Sequence, residues 1–149
     1  MRYLSLFVSF LLVGCISTKS TIQNIDNNAV RPKISNNTFV LTEYATDTKY
    51  GYDADYPINI GLILERQEET YITYFFNALA AKNGEKITAF TKVETCCPFP
   101  TKNNSMGAGT LTIYEVQFEN LPSKKLYFNI YEKGKIMCPK GFSIQPKSN

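Results

Sequence analysis

Apolar and polar positions follow two regular rhythms along this chain, and each predicts a different element. From Glu65 to Ala81, the residues Tyr71, Ile72, Phe75, Phe76 and Leu79 recur at the spacing of one helical face. Glu65, Glu68 and Glu69 at its start suit the positive end of the helix dipole, and Lys82-Asn83-Gly84 supplies a cation and a stop. This spacing predicts a helix over 65–81. Strand-like stretches occur at Thr38–Glu43, at Ile58, Ile60 and Leu62, at Lys86–Glu94, at Thr110–Phe118 and at Lys125–Glu132. In the last, Leu126, Phe128 and Ile130 alternate with Tyr127, Asn129 and Tyr131. The final two stretches, joined by residues 119–124, predict a hairpin with a longer loop. One helix followed by consecutive strands predicts an α+β fold: an antiparallel sheet of four to five strands with one amphipathic helix on one face.

Three stretches follow neither rhythm. Residues 16–37 scatter isolated apolar side chains among Ser, Thr and Asn, which predicts a flexible tether. Tyr44–Pro57 is punctuated by Tyr, Gly, Asp and Pro, which predicts an ordered loop. Leu4–Val13 is apolar except for Ser5 and Ser9 and follows Arg2. It is shorter than the roughly 20 residues that cross a bilayer, and it has the length and polarity of a signal peptide. Its ending, Leu12-Val13-Gly14-Cys15, resembles the lipobox of bacterial lipoproteins. That resemblance implies diacylglyceryl transfer to the Cys15 sulfur, cleavage before Cys15, and acylation of the new amine. The alternative is a generic secretory signal with an incidental cysteine. The expected organisation is a signal peptide over 1–14, a lipidated Cys15 and tether over 15–37, and one domain over 38–149. Ile16, rather than Asp, follows Cys15. By resemblance to the sorting pattern of two-membrane bacteria, this implies the outer membrane, facing the periplasm or the cell surface.

Composition narrows the chemistry. The 149 residues are 44% hydrophobic and 19% charged, the proportions of a globular domain. A thinly spread net charge of +3 carries no nucleic-acid footprint. The absence of histidine excludes Ser-His-Asp and Cys-His catalysis and removes the commonest metal ligand. No cofactor or metal is expected: the cysteines lack CxxC spacing, and Asp53-Ala54-Asp55 resembles a calcium loop without its remaining ligands. Met106-Gly107-Ala108-Gly109 precedes a strand, whereas a phosphate cradle needs a helix. Asn36-Asn37-Thr38 and Asn103-Asn104-Ser105 match the glycosylation sequon and are incidental in a bacterial lipoprotein.

Two constellations remain. With Cys15 acylated, three cysteines are left in an oxidising compartment, and the expected bridge joins Cys97 to Cys138, with Cys96 as the alternative partner. It would close a loop of about 40 residues and stabilise by about 3–4 kcal/mol in the chain-entropy model. Free buried thiols, or metal or redox chemistry, are the other readings. Tyr50, Tyr52, Asp53, Asp55 and Tyr56, flanked by Tyr44 and Asp47, form a candidate binding surface on which sugars or peptides would stack. The other reading has the tyrosines packing on the sheet while the aspartates shape turns.

Residues 49–61, 74–79, Cys96-Cys97-Pro98-Phe99, 126–131 and 138–142 together look like a family of small bacterial envelope lipoproteins of unknown function. The resemblance spans residues 44–142. Some such sequences carry the name 2-dehydro-3-deoxyphosphooctonate aldolase, an activity that condenses phosphoenolpyruvate with arabinose 5-phosphate. In the enzymes of that name the reaction runs in the cytoplasm on a (β/α)8 barrel, a fold of about 250 residues. Removal of residues 1–14 would leave 135 here. The expected function is therefore a lipid-anchored, non-catalytic binding or structural module. Its partners would be the membrane and an envelope protein or glycan. The alternative is an enzyme, either that aldolase or a hydrolase with paired carboxylates.

Overall fold

A computed structural model of the protein describes residues 20–146. The Leu4–Val13 run and Cys15 lie outside the described residues. A small hairpin of β1 (Ile34–Ser35) and β2 (Thr38–Phe39) is followed by β3 (Ile58–Asn59). A 3-10 turn, Glu65–Gln67, leads into helix α1 (Glu68–Asn77). Then come β4 (Leu79–Ala81), β5 (Ile87–Pro100), β6 (Ala108–Phe118), β7 (Lys124–Asn129) and β8 (Phe142–Ile144). The main sheet has the order β3-β7-β6-β5, and β4 pairs separately with β8. The fold is α+β. The β5–β6 and β6–β7 pairs are antiparallel, whereas β3 joins the edge of β7 in parallel, a departure from the all-antiparallel expectation. One ten-residue α-helix against this sheet is not the repeated βα unit of a (β/α)8 barrel.

Period-2 alternation gives β6 and β7 two apolar faces. Tyr114, Val116, Phe118, Leu126 and Phe128 face α1 and meet Ile72, Phe75 and Phe76. The rings interlock: Phe128 lies 5.4 Å from Phe75 and 5.5 Å from Phe76, and Phe76 lies 4.5 Å from Phe90. Each such side chain, fully buried, stabilises the fold by about 1.5–3 kcal/mol. Leu111 and Tyr127 point to the opposite face, where Ile22 and Phe99 cover them.

That second face corrects the tether. Residues 20–37 do not hang free. Ile22 is buried, the Gln23 amide donates to the Asp55 carbonyl at 2.8 Å, and the Asp26 amide donates to the Lys133 carbonyl at 2.8 Å. The Asn24 side chain donates to the Pro57 carbonyl at 2.8 Å and accepts from buried Asn59 at 3.0 Å. An isolated isoleucine among polar residues has no periodicity to announce it, yet one apolar side chain suffices to cap an exposed strip of sheet. Asn36 and Asn37 take φ of 50° and 55°, the left-handed pair of a two-residue hairpin turn, and this turn makes β1 and β2.

The helix is also shorter than its apolar face. Leu79, Ala80 and Ala81 are good helix formers but form β4, because their backbone pairs with β8 and the Gln145 amide takes the Ala78 carbonyl at 2.9 Å. Tertiary pairing overrides a propensity worth only tenths of a kcal/mol per residue, roughly. The strand expected at Thr38–Glu43 stops at Phe39. The strand expected at Lys86–Glu94 runs on through both prolines to Pro100. This is tolerated because β5 is an edge strand, where a missing N–H leaves no ladder partner unpaired.

Candidate functional site

The tyrosine loop is built inward. Tyr50 is 2% exposed, and its hydroxyl donates to the Lys135 carbonyl and accepts from the Met137 amide, both at 3.0 Å. Burial holds its pKa well above that of a free tyrosine. Tyr52 donates to the Lys140 carbonyl at 2.6 Å and is pushed up to about 12, mainly by burial. Tyr56 carries the Lys49 ammonium 5.5 Å above its ring. Asp53 accepts from the Asp55 amide and Asp47 from the Lys49 amide, each two residues on, which is turn chemistry. Of the candidate surface of Tyr50, Tyr52, Asp53, Asp55 and Tyr56, the Tyr50 part is corrected: Tyr50 and Tyr52 spend their hydroxyls on the segment 135–140, and Tyr50 has no face open to a ligand, while the other four stay half-buried or exposed.

The cysteine pairing is corrected as well. Cys96 and Cys97 are disulfide-bonded to each other, with Cα atoms 3.7 Å apart, and Cys138 is free and buried. After Glu132 the chain does not return to β5. Lys133 bridges to Ile60 and Cys138 to Tyr44, which takes the chain past the β3 edge of the sheet. The β3 and β5 edges are three strand spacings apart, about 14 Å, and a disulfide needs Cα atoms within about 7 Å. Burial pushes the Cys138 thiol up to about 12, which leaves it unreactive. Peptide mapping without reductant should find the Cys96-Cys97 peptide lighter by two hydrogen atoms, and Cys138 alkylated only after denaturation. A peptide linked to Cys138 would restore the long-range bridge.

The adjacent bridge sits in a bulge. Cys96 is opposite Leu111 and Phe99 opposite Gly109, so β5 carries one residue more than β6 between those pairs. Cys97 supplies the left-handed residue, with φ of 56°. The bulge turns Phe99 onto Leu111 and Ile22, and a Cβ on Gly109 would stand 2.9 Å from the Phe99 ring and 2.6 Å from that of Tyr131.

Beyond the bulge the β5–β6 hairpin opens into a cleft of about 780 Å³. Pro98, Pro100, Ala108, Ser20 and Asn27 form its walls, with Glu132 among them. Glu132 is 7% exposed. Thr101 Oγ1 donates to its Oε1 at 2.5 Å and Asn103 Nδ2 to its Oε2 at 3.0 Å. Asn103 Nδ2 also donates to the Tyr131 carbonyl at 2.9 Å, which ties the hairpin tip to the end of β7. No cation pairs with Glu132 among the described residues. Each carboxylate oxygen therefore keeps acceptor capacity for a hydroxyl or ammonium group. Nothing in the sequence signals this group. Glu132 lies 31 residues from Thr101, at the end of a strand that reads as ordinary alternation.

A second hollow, of about 480 Å³, is lined by Glu65, Glu68, Lys92 and Tyr114 among others. Two of its three acids, Glu68 and Glu65 but not Glu69, are already engaged. Glu68 pairs with Lys92 at 3.2 Å and accepts from Tyr114 at 3.4 Å, and Glu65 accepts from Tyr131 at 3.0 Å. Burial, then the charge of Glu68, raises the Tyr114 pKa and keeps its proton in place. Among the described residues no group of three Cys, Asp or Glu side chains could hold a metal, and no helix is long and apolar enough to cross a membrane. No known family model, curated protein or solved structure matches this chain.

Proposed function

We propose that this protein is a bacterial envelope lipoprotein, held to the outer membrane through acylated Cys15, whose domain binds an envelope protein or glycan. The observation that carries the reading is Leu12-Val13-Gly14-Cys15 at the end of a short apolar run. The hairpin cleft supports binding. Its volume lies within the roughly 300–1,000 Å³ of ligand sites, its walls are stiffened by Pro98 and Pro100, and its buried carboxylate is oriented by two donors. A glycan hydroxyl or a protein ammonium group would complete that carboxylate.

Cys15→Ser tests the anchor. Two or three acyl chains at about 0.8 kcal/mol per buried CH2 hold a protein on a bilayer, so their loss should move nearly all of it. The variant should lose palmitate labelling and either leave the membrane fraction or persist as uncleaved precursor. Correctly cleaved variant that still sediments with membranes would refute the reading.

The second reading is a hydrolase, favoured by Glu65 and Glu68 sharing one hollow. Hydrolysis by paired carboxylates needs one acid free to donate and another free to attack or activate water. Glu68 is committed to Lys92 and Tyr114 and Glu65 accepts from Tyr131, which leaves Glu69 without a second free acid beside it, so the binding module is the better account.

A further inference from the structure

The described chain enters the domain at the rim of the cleft, where Ser20 is one of the wall residues. Ile22, two residues on, is locked into the apolar cluster of Phe99 and Leu111. Ser20 stands five steps along the chain from Cys15. Five fully extended steps reach at most about 18 Å.

The sheet has a long axis with two unlike ends. β6 has 11 residues and spans about 35 Å. At its start lies the β5–β6 hairpin tip, residues 101–107. At its far end lies the β6–β7 connection with Leu121. β3 and β7 both run toward the hairpin-tip end, since Phe128 is opposite both Thr112 and Ile58.

The hairpin tip is ordered and carries an unpartnered apolar group. The Thr101 amide donates to the Gly107 carbonyl at 3.1 Å and the Gly107 amide to the Asn104 carbonyl at 3.0 Å. The Met106 amide donates to Asn104 Oδ1 at 3.0 Å. These bonds hold the loop while Met106 stays 82% exposed, with the Lys102 cation beside the cleft. Leu62, just beyond β3, is 49% exposed at the same end, and the Arg31 guanidinium reaches its carbonyl at 3.5 Å. Apolar side chains flanked by cations suit the interfacial layer of a phospholipid bilayer, where the chain meets acyl groups and the charge meets phosphates.

We propose that the hairpin-tip end of the domain, residues 101–107 with Met106 foremost, is a bilayer-contacting surface, and that the cleft opens beside the lipid. The proposal rests on acylation at Cys15 and adds an orientation to it. The domain stands on the end where its chain enters, and the Leu121 end points away. A ligand of the cleft then comes from the membrane surface rather than from bulk solvent.

The chain has no tryptophan, so a single introduced one reports its own depth. Met106→Trp and Leu121→Trp are made in the full chain, and the mature lipoprotein is reconstituted into phosphatidylethanolamine–phosphatidylglycerol vesicles. Ser105→Trp serves as a second variant at the same tip. Expected for either tip variant are a blue-shifted emission on reconstitution, loss of most emission to brominated acyl chains, and shielding from acrylamide. Leu121→Trp should keep its emission with brominated lipid and remain open to acrylamide. Protein that floats with the vesicles but shows equal quenching at both ends, or the reverse order, overturns the orientation and leaves the anchor standing. Protein that carries no acyl group and does not float overturns both.

Discussion

Phe128→Ala should cost about 3–5 kcal/mol of unfolding free energy, the range for a buried phenylalanine cut to a methyl group. Phe128 is 1% exposed and meets the rings of Phe75, Phe76 and Tyr114 at 5.4–5.5 Å. It stands where α1 crosses the centre of the sheet, with β3 and β6 on either side of its strand. The cavity cannot close without moving either the helix or a strand held by ladder bonds on both sides. Domains of this kind are typically stable by about 5–15 kcal/mol, so the variant should lose roughly a fifth or more of the total. Urea unfolding followed by tyrosine fluorescence and circular dichroism measures the change. Leu121→Ala, in the exposed β6–β7 connection, should stay within about 0.5 kcal/mol of wild type. A Phe128 effect as small as that of Leu121 would refute the packing described for the helix face.

Asn59→Leu should act on the other face and release the docked N-terminal segment. Asn59 is 1% exposed and Asn129 is fully buried. Asn129 donates to Asn59 Oδ1 at 2.9 Å, and Asn59 donates to both oxygens of Asn24 at 3.0 Å. Leucine keeps the branched shape but is bulkier and has no polar atoms. The Asn129 amide would then be left buried without its acceptor, at about 1–3 kcal/mol for each such group. The Asn24 oxygens would lose their donor and turn to solvent. Hydrogen exchange at the Gln23 and Asp26 amides, which bond to Asp55 and Lys133, should speed up before any global unfolding. Unchanged protection at those two amides would show that the latch lies elsewhere.

The two experiments divide along the line between what was readable in the residues and what was not. The period-2 runs at Thr110–Phe118 and Lys125–Glu132 became β6 and β7, with β6 starting two residues earlier and β7 ending three residues sooner, at Asn129. Each has an apolar set on alternate positions, and a one-residue slip would turn that set away from its partner. The helix was readable for the same reason over Glu68–Asn77, where periodicity and the acidic first turn agree, whereas the expected Lys82-Asn83-Gly84 end lies beyond its last residue. Its last turn was not. Leu79-Ala80-Ala81 looks the same whether its carbonyls go to a fourth helical turn or to β8, and β8 lies more than 60 residues away. The tyrosines of residues 44–56 were visible as a cluster, but their direction was not. The bonds of Tyr50 to Lys135 and Met137 span more than 80 residues.

The candidate site shows the same division. The adjacency of Cys96 and Cys97 was plain, but which thiol each one meets depends on which sheet edge the chain takes after Glu132, and that is a property of the whole topology. Glu132, Thr101 and Asn103 carry no motif, because a carboxylate and two donors need no spacing to meet at the end of a hairpin. By itself, then, the sequence determined the α+β class, the two central strands and the body of the helix. Each of these is written in local periodicity or in a contiguous run of residues. Tertiary structure alone decided that residues 20–37 are part of the domain, that the cysteine bridge is local, and that a carboxylate cleft opens beside the entering chain. Those outcomes depend on groups far apart in sequence that meet only after the sheet has chosen its strand order.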